Sequence, residues 1–352
     1  MDDGRGRSGS RRLTPMKKTL LVRAAIAAAL VEVSAAAASA QMSEAVGIRA
    51  QGMSGAFTAI ADDSTASWWN PAGIASGPYF NAIIEFGSQR QPGPERAVPA
   101  SETGSRGFSI AYPAAALSYY RVQVSAIRPV PTTAAPSAGR QDEGSTDIRL
   151  QSFVLNQFGA TVGQSLGRHL VLASTVKLVR ASVAAEVRPA AAASLDAAAD
   201  LDGPTDTHAG LDIGAMARFG QLRLGLMVRN VSESSFGEGD HEALLDRHFR
   251  AGVAFSSRSN LTIVAADFDL TTTIGATGSE ERRAAVGGEG WSTGKRFGFR
   301  GGASVNTLDA ARVAFSGGVS AAVRAGTYVD VAAAVGTDDS RRGWGFALRV
   351  TF

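Results

Sequence analysis

The chain has 352 residues, with 35 Lys and Arg, 32 Asp and Glu, 40 Gly and no Cys. Residues 1–40 hold seven of the basic and three of the acidic residues, which leaves 28 basic and 29 acidic residues in the rest. The basic isoelectric point therefore comes from the N-terminus and gives no support to nucleic-acid binding. The absence of Cys excludes a disulfide framework. Beyond residue 40, no uncharged apolar run reaches the 18 residues of a single-span helix.

The N-terminus has the pattern of an export signal. Met16-Lys-Lys-Thr19 is a positively charged start, residues 20–33 are mostly apolar, and Ala38-Ser-Ala40 fits the small-residue rule for a cleavage site. We predict that residues 1–40 are an N-terminal extension and a signal peptide. A transmembrane anchor is the weaker alternative, because the uncharged run is too short to span ~30 Å of hydrocarbon.

The next segment, 41–78, lacks the alternation of strands and is dominated by small residues. Asp62-Asp63-Ser64 resembles a helix N-cap cluster, in which a side-chain oxygen accepts free backbone N–H groups. Asn70-Pro-Ala-Gly73 is a turn signal, because Pro71 keeps Asn70 out of the helical region.

From residue 79 onward the sequence is a series of strand-length segments in which apolar and polar residues alternate with period 2. In one clear case Leu222, Leu224 and Leu226 alternate with Arg223, Gly225 and Met227. Two segments, 147–166 and 281–292, alternate weakly. We predict fourteen strands, at 79–88, 105–113, 115–128, 147–166, 169–187, 206–219, 222–232, 247–256, 261–271, 281–292, 296–306, 311–324, 327–337 and 342–352.

The connections between these segments are alternately long and short. Fourteen strands with both ends on one side need seven loops and six turns, and the chain offers that number. Short turns on one side and longer loops on the other are typical of outer-membrane β-barrels. We therefore predict an all-β fold, a transmembrane antiparallel β-barrel of about 14 strands. A soluble β-sandwich is the alternative, and it gives no reason for this alternation.

The last strand supports the barrel. Its outward face is wholly apolar, and the chain ends on an aromatic residue, a pattern that suits a face in contact with lipid. We predict an outer-membrane location, contact with membrane lipid and lipopolysaccharide, and insertion by the barrel-assembly machinery. The residues that would form the assembly signal are Trp344, Phe346, Leu348, Val350 and Phe352.

One run before the barrel resembles a known family. Gly52-Met-Ser-Gly-Ala-Phe-Thr-Ala-Ile-Ala-Asp-Asp63, followed by Trp69-Asn-Pro-Ala-Gly73, is similar to the N-terminal signature of the FadL-type outer-membrane transporter superfamily. That superfamily includes long-chain fatty-acid and aromatic-hydrocarbon channels and PorV/PorQ-like barrels. The resemblance implies that 41–78 fold as a plug, or hatch, inside a barrel formed by 79–352. The plug and gating residues would be Gly52, Gly55, Asp62, Asp63, Trp69, Asn70 and Pro71.

If the apolar face meets lipid, the charged face meets the lumen. The lumen candidates are Arg121, Lys177, Arg223, Arg229, Arg300 and Asp267. The surplus of Arg allows two interpretations. The lumen could accept the carboxylate of a ligand, since guanidinium binds carboxylate in bidentate geometry. Alternatively, these arginines pair with Asp62 and Asp63 of the plug and with acidic residues of the wall.

No enzyme is indicated, because Gly-x-Ser-x-Gly, His-Glu-x-x-His and Walker motifs are missing from the sequence. We predict no cofactor and no metal. The pair His241 and His248, and the acidic loop at 196–206, lack a ligand-binding frame. Two functions remain: passive uptake of hydrophobic or amphipathic small molecules, either fatty-acid-like or aromatic, and a PorV/PorQ-like scaffold that docks secretion or surface machinery without transport.

Overall fold

The structure is a computed structural model. It describes residues 44–92, 99–130, 147–238, 242–275, 280–308, 312–337 and 342–352. The predicted signal peptide and His241 lie outside the described residues. Among those residues, no helix has both the length and the hydropathy needed to cross a membrane.

Short helical turns form the segment that precedes the first strand. They are α1 (Ile48–Gln51), α2 (Ala66–Trp69) and a 3-10 helix at Pro71–Ser76. The N-cap of α2 is Thr65 rather than a residue of Asp62-Asp63-Ser64, and Thr65 makes no side-chain cap. Asp63 instead accepts hydrogen bonds from the backbone N and the hydroxyl of Thr65, at 3.0 and 2.5 Å. A second 3-10 turn, Ala190–Ala192, and α3 (Leu195–Ala199) lie in a later loop.

The turn signal at Asn70 is confirmed. Asn70 is extended, with φ −157° and ψ 103°, and its side chain accepts the backbone N–H of Ala72. Pro71 is the first residue of the 3-10 helix, where its missing N–H costs nothing.

Fourteen long strands and two short hairpins make up the rest of the described chain. The strands are β1 Asn81–Pro92, β2 Pro99–Tyr112, β3 Ala115–Pro129, β4 Asp147–Leu166, β5 Leu170–Pro189, β6 Thr205–Phe219, β7 Leu222–Arg229, β8 Ser234–Phe236, β9 Ala243–Leu245, β10 His248–Ser256, β11 Thr262–Asp269, β12 Thr273–Ile274, β13 Glu280–Glu281, β14 Arg283–Trp291, β15 Phe297–Asn306, β16 Val313–Arg324, β17 Thr327–Gly336 and β18 Arg342–Thr351. The hairpins are β8–β9 and β12–β13, and both lie in loops.

The fourteen long strands close into one antiparallel barrel. The seam joins β1 to β18, from Asn81 opposite Thr351 to Arg90 opposite Arg342. Just below it, the backbones of Phe80 and Phe352 bond to each other in both directions, at 3.2 and 3.0 Å. The predicted fold class is confirmed, and the weakly alternating segments are the real strands β4 and β14.

Several strand ends differ from the prediction because the apolar alternation covers only part of each strand. β2 begins at residue 99 rather than 105, and β1 continues to 92 rather than 88. Their extra residues pair through the backbone, for example Gln89 opposite Thr103. Backbone pairing needs no apolar side chains, so these extensions leave no signal in the sequence.

The two ends of the barrel differ in their connections. At one end, here called the turn end, six connections are short, and each contains a residue with positive φ, the conformation that tight hairpin turns require. These residues are Ala114, Gly167, Gly220, Asn260, Lys295 and Gly326. The opposite end, here called the loop end, carries the longer connections.

Residues 44–77, here called the plug, fill the barrel interior. Phe57, Ile60, Trp69 and Ile74 are at most 2% exposed, and they belong to the core of the molecule. The outward face of the barrel is an apolar belt, whose exposed side chains include Leu224, Leu226, Phe299 and Phe346. The molecule thus has a buried plug as its core and an apolar exterior.

Candidate functional site

The plug is tied to the wall by buried charges. Arg49 in α1 binds Glu289 of β14 through two hydrogen bonds, Nε–Oε2 at 2.8 Å and Nη2–Oε1 at 2.9 Å. Its Nη1 also donates to Asp62 at 2.5 Å and to Asp63 at 3.4 Å. Burial alone would lower the pKa of Arg49, but the charges of Glu289, Asp62 and Asp63 outweigh it and raise that pKa well above its usual range. Arg49 is therefore a permanent cation at the centre of the plug.

Wall arginines complete this network of charges. Arg223 reaches Asp62 at 3.3 Å, and Arg300 reaches Glu289 at 3.3 Å and Asp330 at 3.4 Å. Arg349 binds the same Asp330 at 2.9 Å. Of the two interpretations of the arginine surplus, the structure shows pairing with plug and wall carboxylates for these residues.

Wall carboxylates also bind backbone N–H groups of the plug. Asp267 of β11 accepts from Phe57 at 3.0 Å and from Thr58 at 2.8 Å. Glu85 of β1 accepts from Gly47 at 2.7 Å. Short helices and turns leave such groups without partners inside their own segment, and burial makes an unpaired group costly. The wall therefore supplies hydrogen bonds that the plug cannot make for itself.

Asn70 joins three parts of the site. Its Nδ2 donates to the carbonyl of Thr58 in the plug at 2.8 Å and to that of Ala215 in the wall at 3.2 Å. Its Oδ1 accepts from Ala72 at 3.1 Å. The Asn70 amide therefore uses both its N–H donors and its carbonyl acceptor. A carboxylate could not replace it, because a carboxylate has no N–H to donate.

Glycines in the wall make room for the plug backbone. A Cβ at Gly225 would lie 2.4 Å from the carbonyl oxygen of Thr58, and one at Gly287 would lie 2.6 Å from that of Met53. Gly214 and Gly302 also come close to the plug backbone, and Gly345 makes room for the side chain of Ile48. The inner surface of the barrel is thus shaped to this plug.

One cavity beside the plug is small. A cavity of about 60 Å³ lies towards the loop end, between the plug residues Ser54, Gly55 and Trp69 and the wall residues Ala332 and Trp344. A dry cavity that holds benzene measures ~150 Å³. In this conformation the plug leaves no space for even a benzene-sized molecule here.

The remaining plug candidates are also packed closely. A Cβ at Gly52 would lie 2.7 Å from Cδ of Arg300, and Gly55 has φ +86°. Trp69 donates its indole N–H to the carbonyl of Val46 at 2.9 Å and meets the ring of Phe57 edge-on. These contacts show how the residues pack, and a gating role for them remains a prediction.

Two predicted lumen cations lie inward, near the loop end of the plug. Lys177 binds Asp212 at 2.7 Å and Oδ1 of Asn230 at 2.6 Å. Arg229 donates to the carbonyl of Trp68 and lies over its ring, 4.1 Å from the centroid. Both cations therefore have partners within the protein.

The lumen assignment of Arg121 is wrong. Tyr120 and Val122 are the buried, inward residues of β3, so Arg121 shares the outward face with Leu117 and Tyr119. Near the loop end of β3, β4 and β5 the alternation is inverted, with apolar side chains inward and polar ones outward. An assignment that places every charge inward fails there.

The inverted region creates an apolar patch in the lumen. It consists of the inward, buried side chains Val122, Val124, Phe153, Leu155, Val179 and Val183. Phe236 and Leu245 of the β8–β9 hairpin are buried in the same cluster, and the rings of Phe236 and Phe153 lie 6.3 Å apart. The hairpin therefore covers the patch from the loop end.

Sequence reasoning missed Glu44, Arg49 and Glu289. Glu289 lies in a weakly alternating segment, and its partner is 240 residues away. Glu44 pairs with Arg283 of the wall. The available signal was the isolated position of each charge among small or apolar neighbours, since such a charge needs a partner when buried.

The last strand presents its apolar face outward, with Trp344 at 57% and Phe352 at 70% exposure. Phe352 stacks on Phe80, with ring centroids 6.0 Å apart, and Phe80 meets Tyr112 edge-on. These rings form an aromatic cluster at the turn end. Recognition of this strand by assembly machinery remains a prediction.

In the part of the chain that the structure describes, no group of three or more His, Cys, Asp or Glu is arranged to hold a metal ion. His248 binds Asp269 at 2.9 Å, beside Arg250. The acidic residues of the loop at 196–206 are separated along α3 and the start of β6.

Comparison with known proteins gives a family and a fold. The family model described as "F plasmid transfer operon, TraF, protein" matches residues 18–269. No curated protein sequence matches the chain.

Solved structures similar to this chain include fourteen-stranded barrels of the FadL type. The CymD monoaromatic hydrocarbon channel has a TM-score of 0.61 and 14% identity, covering 87% of this chain and 97% of its own. The toluene transporter TbuX of Ralstonia pickettii has a TM-score of 0.60 and 12% identity, covering 88% and 99%. A FadL homologue of Pseudomonas aeruginosa has a TM-score of 0.54 and 11% identity, covering 87% and 98%.

Proposed function

We propose that this chain, which belongs to the family of the F plasmid transfer operon TraF protein, is a bacterial outer-membrane channel for passive uptake of hydrophobic or amphipathic small molecules. Its fold is shared by a monoaromatic hydrocarbon channel and a toluene transporter. The apolar belt on the outward face suits a lipid environment. Fatty-acid-like and aromatic molecules are the candidate substrates, and no enzyme chemistry is needed.

The observation that carries this proposal is the apolar patch in the lumen. A channel for water-soluble solutes has a polar interior. Here Val122, Phe153 and Leu155 face inward near the loop end, and Phe236 of the β8–β9 hairpin covers them. Displacement of this hairpin would expose an apolar surface to a molecule that enters from outside, because apolar burial favours the transfer of such a molecule from water.

Passage also requires the plug to move. The cavity of about 60 Å³ beside Trp69 is too small for a benzene-sized ligand. The plug is held by ion pairs and hydrogen bonds, which can break and re-form without covalent change. We propose that ligand in the lumen shifts the plug and opens the path past Asn70 and Pro71.

Two engineered disulfides test this movement. The chain has no native Cys that could form other disulfides with the introduced residues. The hydroxyls of Ser54 and Ser316 lie 2.7 Å apart, and those of Ser64 and Ser109 also lie 2.7 Å apart. Each pair joins the plug to the wall. Ser54→Cys/Ser316→Cys and Ser64→Cys/Ser109→Cys should therefore form disulfides that fix the plug at two places.

The measurement is uptake of labelled toluene, and of a labelled long-chain fatty acid in parallel, by cells with the barrel in the outer membrane. Uptake should fall severalfold in the oxidised double variants and return after reduction, while the four single-Cys variants behave as wild type. Continued uptake by both oxidised variants would contradict a moving plug. Asn70→Ala/Pro71→Ala should change the uptake rate without removing the barrel from the membrane.

A scaffold is the second candidate function. The closed plug and the family's link by name to a transfer operon favour it. In this case the barrel would dock secretion or surface machinery and carry no substrate. No uptake of either compound by the inserted wild-type barrel, together with a large partner recovered by crosslinking, would establish the scaffold and reject the channel.

A further inference from the structure

Three arginines form a row on the outside of the barrel. Arg106 of β2 pairs in register with Arg121 of β3, which pairs with Asn156 of β4, which pairs with Arg180 of β5. Neighbouring strands lie ~4.8 Å apart, so this row, here called the arginine row, crosses the four strands within ~15 Å. All of these positions share the outward face with Tyr119, Phe158 and Leu178.

The arginine row lies directly above the apolar belt, on its loop-end side. One register step towards the turn end, Phe108 pairs with Tyr119, Tyr119 with Phe158 and Phe158 with Leu178. Three of these side chains are about half exposed. Across β2 to β5 the outer wall therefore changes from apolar to polar and cationic in one step of the sheet, an arrangement that suits the boundary between lipid head groups and acyl chains.

A groove runs over this boundary. It measures about 590 Å³ and is lined by Arg121, Asn156 and Arg180 on its polar side and by Phe158 and Leu178 on its apolar side. Asp202 and Gly203 of the loop that follows α3, and Thr205 at the start of β6, also line it. A second groove of about 310 Å³ joins it at Arg121 and is lined by Arg106, Phe86 and Trp344. Both grooves are amphipathic.

The arginine row has no ionic partner within the described residues. In the lumen, Arg223 and Arg349 each bind a carboxylate, and Arg229 binds the carbonyl of Trp68. No such pair involves Arg106, Arg121 or Arg180, and Asp202 lines the groove without an ion pair to either arginine there. Arg106 and Arg121 are directly opposite each other, and like charges in that position destabilise a sheet. An anion from outside the protein would remove this repulsion.

We propose that the arginine row binds the phosphate group of a membrane lipid of the outer leaflet. Guanidinium groups bind phosphate in bidentate geometry and stay charged next to an apolar surface. The acyl chains of the same molecule lie along Phe158, Leu178 and the belt below them. A soluble phosphate would make no contact with the apolar side of the groove. The combination of a cationic side and an apolar side therefore favours a lipid.

The test compares three compounds on the purified full-length barrel in detergent. They are diphosphorylated lipid A, lipid A with its phosphates removed, and inorganic phosphate. Melting temperature and native mass spectrometry report binding and its stoichiometry. Diphosphorylated lipid A should raise the melting temperature and remain bound at one molecule per barrel, while the other two compounds should give no shift at equal concentration.

The variant is Arg106→Gln/Arg121→Gln/Arg180→Gln. Its lipid-free melting temperature should equal or exceed that of wild type, because the repulsion is gone, and this also shows that it folds. Its apparent affinity for diphosphorylated lipid A should fall about tenfold or more, since charged hydrogen bonds are lost. The control is Arg90→Gln/Arg188→Gln, two outward arginines near the loop end that pair with Glu102 and Glu186.

Four outcomes would overturn the proposal. An equal shift with dephosphorylated lipid A would show that only the acyl chains bind. An equal shift with inorganic phosphate would show an ion site without a lipid. An unchanged shift in the triple variant, or an equal loss in the control variant, would show that the phosphate binds elsewhere.

Discussion

Arg49 and Glu289 form a bidentate ion pair across 240 residues of chain, and Glu289 also faces Arg300 at 3.3 Å. One carboxylate thus neutralises a plug cation and a wall cation together. Bidentate arginine–carboxylate pairs are among the strongest polar contacts in proteins. This ion pair therefore attaches the plug to the wall at a point far along the chain from its covalent connection to β1.

Glu289→Gln should lower the free energy of unfolding by about 3 kcal/mol, because removal of one partner leaves buried charge uncompensated. Urea unfolding in detergent measures the change. Glu102→Gln removes the partner of the exposed Arg90 and should cost less than about 1 kcal/mol. Equal effects of the two substitutions would contradict the central role of Glu289.

Gly225→Ala should loosen the plug. The new Cβ would lie 2.4 Å from the carbonyl oxygen of Thr58, so the plug backbone must shift, and overpacking of this kind costs about 1–3 kcal/mol. Hydrogen exchange of residues 44–77 should become faster. Gly104→Ala is the control, because a Cβ there meets no atom within 4 Å. Unchanged exchange in Gly225→Ala would show that the plug has free space at this point.

Asn70→Asp should destabilise the protein by about 2–3 kcal/mol at neutral pH. The substitution replaces the donor to Thr58 and Ala215 by an acceptor, which leaves two carbonyl oxygens facing a carboxylate. Thermal unfolding measures the loss. Asn260→Asp, in an exposed turn, should be nearly neutral. A neutral result for both would mean that the Asn70 amide contributes nothing to plug packing.

Phe352→Ser should reduce the amount of assembled barrel in cells severalfold, because we propose that this aromatic residue and the apolar face of β18 are part of the signal for the assembly machinery. Heat-modifiable migration on gels measures the folded fraction. Refolding of the same variant from urea into detergent should be close to wild type, since the backbone bonds to Phe80 remain. Phe219→Ser changes another exposed aromatic residue and is the control. An equal loss in cells for both variants would contradict a specific signal.

The sequence predicted the barrel because lipid-facing alternation and short turns are local properties. The outward face of β7 is evident from the alternation of Leu222, Leu224 and Leu226 alone, without reference to neighbouring strands. Residues such as Gly167 and Gly326 mark the turns. The same logic failed at Arg121, since near the loop end the exterior is polar and the interior apolar. Whether such a residue faces inward or outward depends on how close it lies to the loop end of the barrel. The alternation within a single strand gives no information about that position.

The sequence did not predict the contacts of the plug, and the reason is different. Arg49 finds Glu289 only after β14 has taken its place in the barrel, and Gly225 is short of space only because Thr58 lies against it. Such contacts join distant parts of the chain, so they leave no periodic trace. The resemblance of residues 52–73 to a known signature predicted that a plug exists, but not what holds it.

The β1–β18 seam places a constraint on the order of events in folding. The plug immediately precedes β1, and β1 pairs with β18, so the ring stays open until residues 342–351 have reached their neighbour. Inward glycines such as Gly225 and Gly287 leave the plug backbone in close contact with the wall. We therefore expect the plug to take its place before β1 and β18 pair, so that closure of the seam is the last step of folding.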